Sequence, residues 1–219
     1  MEELAKTLKV SPVRVVQEAY EMAILRGLAE SKIGRFLVFK GGTALRLIYG
    51  APRFSEDLDF SLTKSFPKKD FKSVVQEIAK EEPYLELVEA LKKRWTFFAL
   101  FRVREEFLAQ PCSIKVEISS REKIKKFETR VATSEAVAFE VLLKVFSLEQ
   151  LFEDKKRLLK KRAEPKDLFD LWYLSQKLKR EVDIPTLKIS KKHLKRELHK
   201  FLPQSYWPVV EELSQYAKG

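Results

Sequence analysis

The chain is 219 residues long, with 43 Lys and Arg against 32 Asp and Glu, and its formal net charge is +11. That length sets one large domain or two small ones, and 45% hydrophobic residues, 16 of them Phe, exclude an intrinsically disordered chain. No stretch approaches the roughly 20 apolar residues that cross a bilayer, which excludes a helical membrane protein. The surplus of positive charge draws polyanions, nucleic acid first among them. The single cysteine, Cys112, cannot close an internal disulfide, and the start Met1-Glu2-Glu3 lacks the basic residues and apolar run of a signal peptide. A cytoplasmic location with no membrane partner is expected.

Ser11-Pro12 reads as a helix start, with Val15, Val16, Ala19, Met22 and Ala23 recurring at helical spacing towards Ala29. Phe36-Leu37-Val38-Phe39 is a short apolar run suited to a buried strand, broken at Lys40-Gly41-Gly42-Thr43. A short helix from Ala44 to Tyr49 follows. Asp57-Leu58-Asp59-Phe60-Ser61-Leu62 alternates polar and apolar residues, the mark of a strand with one wet face. Lys69 to Ala79 reads as a helix, then Tyr84 to Ala90, Trp95 to Arg104 and Ser113 to Ile118 as strands. Ser134 to Phe146, Ser147 to Arg162 and Pro165 to Leu178 read as consecutive helices, with Ser147 and Gln150 spaced as a capping box. Ser190 to Leu202 and Ser205 to Ala217 complete the helical set. The expected fold is α+β: a small mixed sheet behind a leading helix over residues 1–130, then a helical bundle over residues 131–219.

The period of two along Asp57-Leu58-Asp59 puts both carboxylates on one strand face, about 6 to 7 Å apart. Such a pair repels unless a cation intervenes, and Mg²⁺, a hard ion that takes oxygen ligands and substrate phosphates, suits it. Strand phase lets Glu117 add a third carboxylate from a neighbouring strand, enough for two ions of the kind used in nucleotidyl displacement. Gly41-Gly42-Thr43, at a strand-to-helix turn, offers close backbone approach and helix N–H groups to a phosphate. Each of these also has a purely structural reading, as an exposed acidic strand face or a tight joint.

Phe39-Lys40-Gly41-Gly42-Thr43-Ala44-Leu45, followed by Arg53-Phe54-Ser55-Glu56-Asp57-Leu58-Asp59-Phe60, resembles the opening motif of the DNA polymerase beta-like nucleotidyltransferase superfamily. More narrowly it resembles the AbiEii/AbiGii toxin family, with its K-G-G-T-A-L block and R-x-S-x-D-x-D-F. Lys155, Arg162, Pro165-Lys166-Asp167 and Leu168-Phe169-Asp170-Leu171 resemble that family's helical motif, with Lys166 standing where the family usually has Arg. That exchange keeps the charge and loses bidentate phosphate binding.

The resemblance implies that Asp57 and Asp59 hold Mg²⁺, or Mn²⁺ in its place, and that Glu117 completes the acidic set. It implies that Gly41, Gly42, Thr43, Arg53 and Ser55 surround the nucleotide phosphates, and that Lys155 reaches the triphosphate. Asp170 would orient Lys155 or assist catalysis. The implied activity is metal-dependent transfer of a nucleoside monophosphate from a triphosphate to an acceptor hydroxyl. The implied acceptor is an RNA, the 3′ end of tRNA. The implied setting is a toxin of a type IV toxin–antitoxin system, in phage defence, with a cognate antitoxin as partner. The same site could instead modify a small molecule such as an antibiotic, or a protein. A basic nucleic-acid-binding module without catalysis is the third reading.

Seven basic residues lie between Lys155 and Lys166, and Lys188, Lys191, Lys192, Lys195, Arg196 and Lys200 form a second cluster with His193 and His199. Both clusters suit RNA backbone contact or a solvated face. The two histidines lack zinc spacing, Cys112 reads as a small core residue, and Trp95, Phe97, Phe98 and Phe101 read as core aromatics before base-stacking groups.

Overall fold

A computed structural model describes residues 1–106, 108–121, 124, 126 to 218. Helices α1 (Glu2–Leu8) and α2 (Pro12–Glu30) lead into β1 (Leu37–Lys40), α3 (Gly41–Tyr49), β2 (Asp57–Leu62) and α4 (Lys68–Glu81). Strands β3 (Leu85–Lys92), β4 (Thr96–Val103), β5 (Cys112–Ser119), β6 (Phe127–Ala132) and β7 (Val141–Phe146) complete a seven-stranded sheet in the order β3-β4-β5-β2-β1-β7-β6. Then come α5 (Leu148–Arg162), α6 (Pro165–Leu178), β8 (Leu187–Ser190), α7 (Lys191–His199), α8 (Trp207–Leu213) and β9 (Ala217–Lys218), with β8 and β9 paired separately. The fold is α+β, a mixed sheet with helices flanking it, and no described helix is long and apolar enough to cross a membrane.

Two helices close one face of the sheet. In α4, Phe71, Val74, Val75 and Ile78 recur at the spacing of a single helical stripe and all are buried. Each such side chain contributes about 1.5–3 kcal/mol on burial. α2 crosses α4 closely enough that a Cβ on Gly27 would lie 2.5 Å from Ile78 Cγ1, so only glycine fits there. Behind the sheet these helices share one core with Phe39, Leu58, Phe60, Phe97, Phe101, Ile114, Val116 and Ile118. The C-terminal helices build a second core that meets the sheet through Val38 and Phe146.

The helix expected over residues 134–146 is not formed. Residues 141–146 are β7, which pairs in parallel with β1 through Phe39 and Val145 and antiparallel with β6. A six-residue segment, apolar but for Lys144, is too short for helical periodicity to be read from it, and Val141, Val145 and Phe146 favour the pleated form. The sheet therefore continues to Phe146, and the helical segment begins at α5. There Ser147 caps the helix, its hydroxyl accepting from the Gln150 N–H at 3.3 Å. The reciprocal half of the expected box is absent, because the Gln150 side chain donates to Asp154 at 3.2 Å. α1 and β6 carry no expectation from sequence. Each is short and largely exposed, so burial leaves little pattern to read.

Candidate active site

Strand β2 buries Leu58 and Phe60 and turns Asp57 and Asp59 to the opposite face. Its parallel neighbour β5 sets Lys115 beside Asp57 and Glu117 beside Asp59, and antiparallel β1 sets Lys40 opposite Asp59. The three carboxylates thus share one sheet face. Lys115 Nζ lies 3.1 Å from Asp57 Oδ2, an ammonium on the outer carboxylate. Burial pushes the Asp59 carboxyl above its ordinary value; Asp57 and Glu117 push it further and Lys40 and Lys155 oppose them.

Among the described residues no group of three or more His, Cys, Asp or Glu side chains is drawn together closely enough to grip a metal ion. The donor chemistry nevertheless fits one. The face offers oxygen ligands only, and Asp59 pays an electrostatic penalty for its anionic neighbours that a hard divalent cation would remove.

The turn from β1 into α3 is fitted around this face. Gly41 has φ +86°, and a Cβ there would stand 2.7 Å from Asp59 Oδ2, so glycine is required by conformation and by space. A Cβ on Gly42 would strike the Arg53 guanidinium and lie 2.9 Å from Ser55 Oγ. The start of α3 has no side-chain cap, which leaves its first-turn N–H groups the donors of a helix N-terminus. Thr43 is buried, and its hydroxyl donates to the Asp57 carbonyl at 2.5 Å, tying α3 to the first residue of β2.

Behind the turn lies a buried ionic network. Arg53 grips Asp170 with two prongs, Nε to Oδ1 at 2.7 Å and Nη2 to Oδ2 at 2.8 Å. Lys155 Nζ lies 2.6 Å from Asp170 Oδ2 and 2.9 Å from Asp167 Oδ1, and Arg162 Nε donates to Asp167 Oδ2 at 2.6 Å. Burial works to raise the Asp170 carboxyl, but the Arg53 and Lys155 cations override it and hold it down at about 2. For Lys155, burial is likewise outweighed by Asp170 and Asp167, and its ammonium is held charged. Arg162 also pairs with Glu164 at 3.5 Å at the exposed end of the network, and Lys155 is among the cations that Asp59 senses.

The structure therefore brings Asp57, Asp59 and Glu117 to one face, sets Gly41 against Asp59 and Gly42 against Arg53 and Ser55, and joins Lys155 to Asp170. Arg53 and the Thr43 hydroxyl are engaged inside the protein instead of standing open. Lys166 lies at the surface, 3.7 Å from Glu164. Of the first basic cluster, Lys155 and Arg162 turn into the network while Arg157, Lys160 and Lys161 face outward. Three participants carry no role in the sequence reading, Lys40, Lys115 and Asp167, and Arg162, expected on a basic face suited to RNA, is ion-paired to Asp167 instead. Asp167 was traceable, since it precedes Asp170 by three residues and so shares its helix face. Cys112 is half-buried, with its thiol raised to about 11 by burial, and is no nucleophile near neutral pH.

No curated protein sequence matches the chain. Among solved structures, JHP933 from Helicobacter pylori is 22% identical, with a TM-score of 0.61 over 94% of this chain and 91% of that one. MenT4, a nucleotidyltransferase toxin from Mycobacterium tuberculosis H37Rv, is 23% identical, with a TM-score of 0.56 over 83% of this chain and 61% of that one. Likeness at that identity shows a shared fold. The profile of the family described as nucleotidyl transferase AbiEii toxin, type IV toxin–antitoxin system, matches residues 23–209, and the chain belongs to that family of nucleotidyltransferase toxins.

Proposed function

We propose that this nucleotidyltransferase toxin transfers a nucleoside monophosphate from a triphosphate to a hydroxyl at the 3′ end of an RNA, tRNA being the acceptor, in a reaction that depends on Mg²⁺ or Mn²⁺. Family membership carries the coarser part, a triphosphate substrate and an antitoxin partner. The observation that supports the finer part is the register of β2 with β5, which sets Asp57, Asp59 and Glu117 on one face beside the glycine turn of α3.

Asp57 and Asp59 would hold the metal, with Glu117 as the third carboxylate. A divalent ion there supplies positive charge to the triphosphate and acidifies the attacking hydroxyl. The N–H groups opening α3 bind and orient phosphate oxygens. Lys155, fixed by Asp167 and Asp170, adds charge on the same side and is kept from wandering by its two carboxylates. In the transfer the acceptor oxygen bonds to the α-phosphorus, the bond to the bridging oxygen breaks, and pyrophosphate leaves as the hydroxyl proton is lost.

The direct experiment incubates the protein with total RNA and each labelled triphosphate in turn. Asp57→Ala and Asp59→Ala are expected to abolish labelling of RNA, and labelling at the unaltered rate in either variant would overturn the assignment.

A further inference from the structure

The outward side chains of the sheet continue past the carboxylates in register. Lys40, Asp59, Glu117, Phe98 and Leu91 occupy one row across β1, β2, β5, β4 and β3, each paired with the next. The adjacent row holds Asp57, Lys115, Leu100 and Glu89. Strand β4 alternates strictly: Phe97, Ala99, Phe101 and Val103 are buried on the side of α2 and α4, with Phe97 against the Phe71 ring at 5.3 Å. Phe98, Leu100 and Arg102, half-buried, lie on the face that carries Asp57 and Asp59.

The hairpin joining β3 to β4 brings cations to the edge of that face, with Lys93 over Phe98, while Lys92 pairs with Phe97 on the side of α2 and α4. Lys92, Lys93 and Arg94 are consecutive and exposed, no acidic residue stands among them, and the following Trp95 is 45% exposed. Each cation stands over a ring: Lys92 over Phe97 at 4.9 Å, Lys93 over Phe98 at 4.8 Å and Arg94 over Trp95 at 5.2 Å. Aromatic faces beside a run of cations are the means by which unpaired nucleic acid is held: bases stack on the rings, and phosphates meet the cations. Phe98 is two strand spacings from Asp59, about 10 Å, so a nucleotide stacked on it lies within reach of the carboxylates.

We propose that this open face of β4, with the β3–β4 hairpin, receives the single-stranded 3′ end of the RNA acceptor. Phe98 and Leu100 carry the terminal bases, and Lys93, Arg94 and Trp95 engage the chain that follows. The inference rests on the RNA-transfer reading above and adds where the acceptor lies. Asp57 and Asp59, in neighbouring rows on β2, bind the triphosphate's metal; Phe98, two strands along the row of Asp59, takes the second substrate.

The test measures binding of a short 5′-fluorescent single-stranded RNA to the full chain by anisotropy, beside calorimetric binding of a triphosphate. Phe98→Ala is expected to raise the RNA dissociation constant about tenfold, the loss of one base–aromatic stack. Lys93→Glu, at an exposed position where folding is not at stake, should weaken RNA binding and reduce the slope of log affinity against log salt by about one. In both variants triphosphate affinity stays unchanged and the acceptor KM rises. RNA affinity unchanged in both variants overturns the inference. So does loss of antitoxin neutralisation with RNA affinity intact, which would give the face to a protein. If the unaltered chain labels no RNA at all, the RNA-transfer reading fails, a separable result because the binding measurement needs no turnover.

Discussion

Arg53 and Asp170, 117 residues apart in the chain, meet in a two-pronged ion pair inside the protein, with 3% and 1% of their side chains exposed. The pair fastens the loop before β2 to helix α6. It does so directly behind the turn that opens α3, since the same guanidinium fills the space a Cβ on Gly42 would take. The geometry of the candidate active site therefore depends on a contact between two buried side chains behind it.

Replacing Asp170 with Ala leaves Arg53 and Lys155 as buried cations that have lost their shared partner. Breaking one side of such a pair costs about 3–5 kcal/mol, so Asp170→Ala should unfold at a markedly lower urea concentration. Arg157→Ala, which removes an exposed partner of Asp154, should change stability by less than about 1 kcal/mol. Equilibrium urea unfolding of the two variants checks the contrast.

The same pair sets a pH dependence. The Asp170 carboxyl is held down at about 2 in the folded chain, against about 3.9 when unfolded. Its stabilisation is thus fully present above the unfolded value and is lost as pH falls from about 4 towards 2. Asp167 is shifted the same way and adds to the loss. Urea midpoints measured from pH 6 down to pH 3 should decline, and the decline should be shallower in Asp170→Asn, which has no proton to take up there.

Gly41→Ala tests the fit of the turn. The new Cβ meets Asp59 Oδ2 at 2.7 Å in a left-handed backbone conformation, a strain of about 1–2 kcal/mol before any clash. The displaced group is the carboxylate itself, so nucleotide transfer should fall by more than the change in melting temperature accounts for. Paired rate and thermal-melt measurements on the variant check this.

Lys115 Nζ lies 3.1 Å from Asp57 Oδ2. The ammonium and a metal compete for the same oxygens. Removing it in Lys115→Gln should tighten Mn²⁺ binding, by up to about 1 kcal/mol for a partly exposed pair. Calorimetric titration with Mn²⁺ alone, without a triphosphate, measures the shift.

Much of this site is legible in the residues because its parts obey short periods. Alternation through Asp57-Leu58-Asp59-Phe60 fixes which side chains turn outward, and β2 occupies the residues that alternation marks, Asp57 to Leu62. Phase does the same for Glu117 on β5. Lys155 and Asp170 meet because Pro165 starts a new helix directly after α5, and two helices joined so briefly run antiparallel. Long-range packing is not written in such periods. That Arg53 would turn inward to Asp170, that the Thr43 hydroxyl would seek the Asp57 carbonyl, and that Lys115 would sit on Asp57 all depend on which elements become neighbours. The pattern of β7 suggests helix for a related reason: its six residues are too few to show a period, and the pairing with β1 and β6 decides the form. On β4, density of aromatics alone could not tell Phe97, at 2% exposure, from the half-buried Phe98 next to it.

The central claim, that Asp57 and Asp59 bind the triphosphate through divalent cations, is tested most directly by calorimetric titration of the protein with a non-hydrolysable triphosphate, with Mg²⁺ or with a chelator. The unaltered chain should bind with Mg²⁺ and lose most of its affinity under chelation, while Asp59→Asn should bind weakly in both. Equal affinity with and without Mg²⁺ in the unaltered chain, or undiminished Mg²⁺-dependent binding in Asp59→Asn, would contradict it.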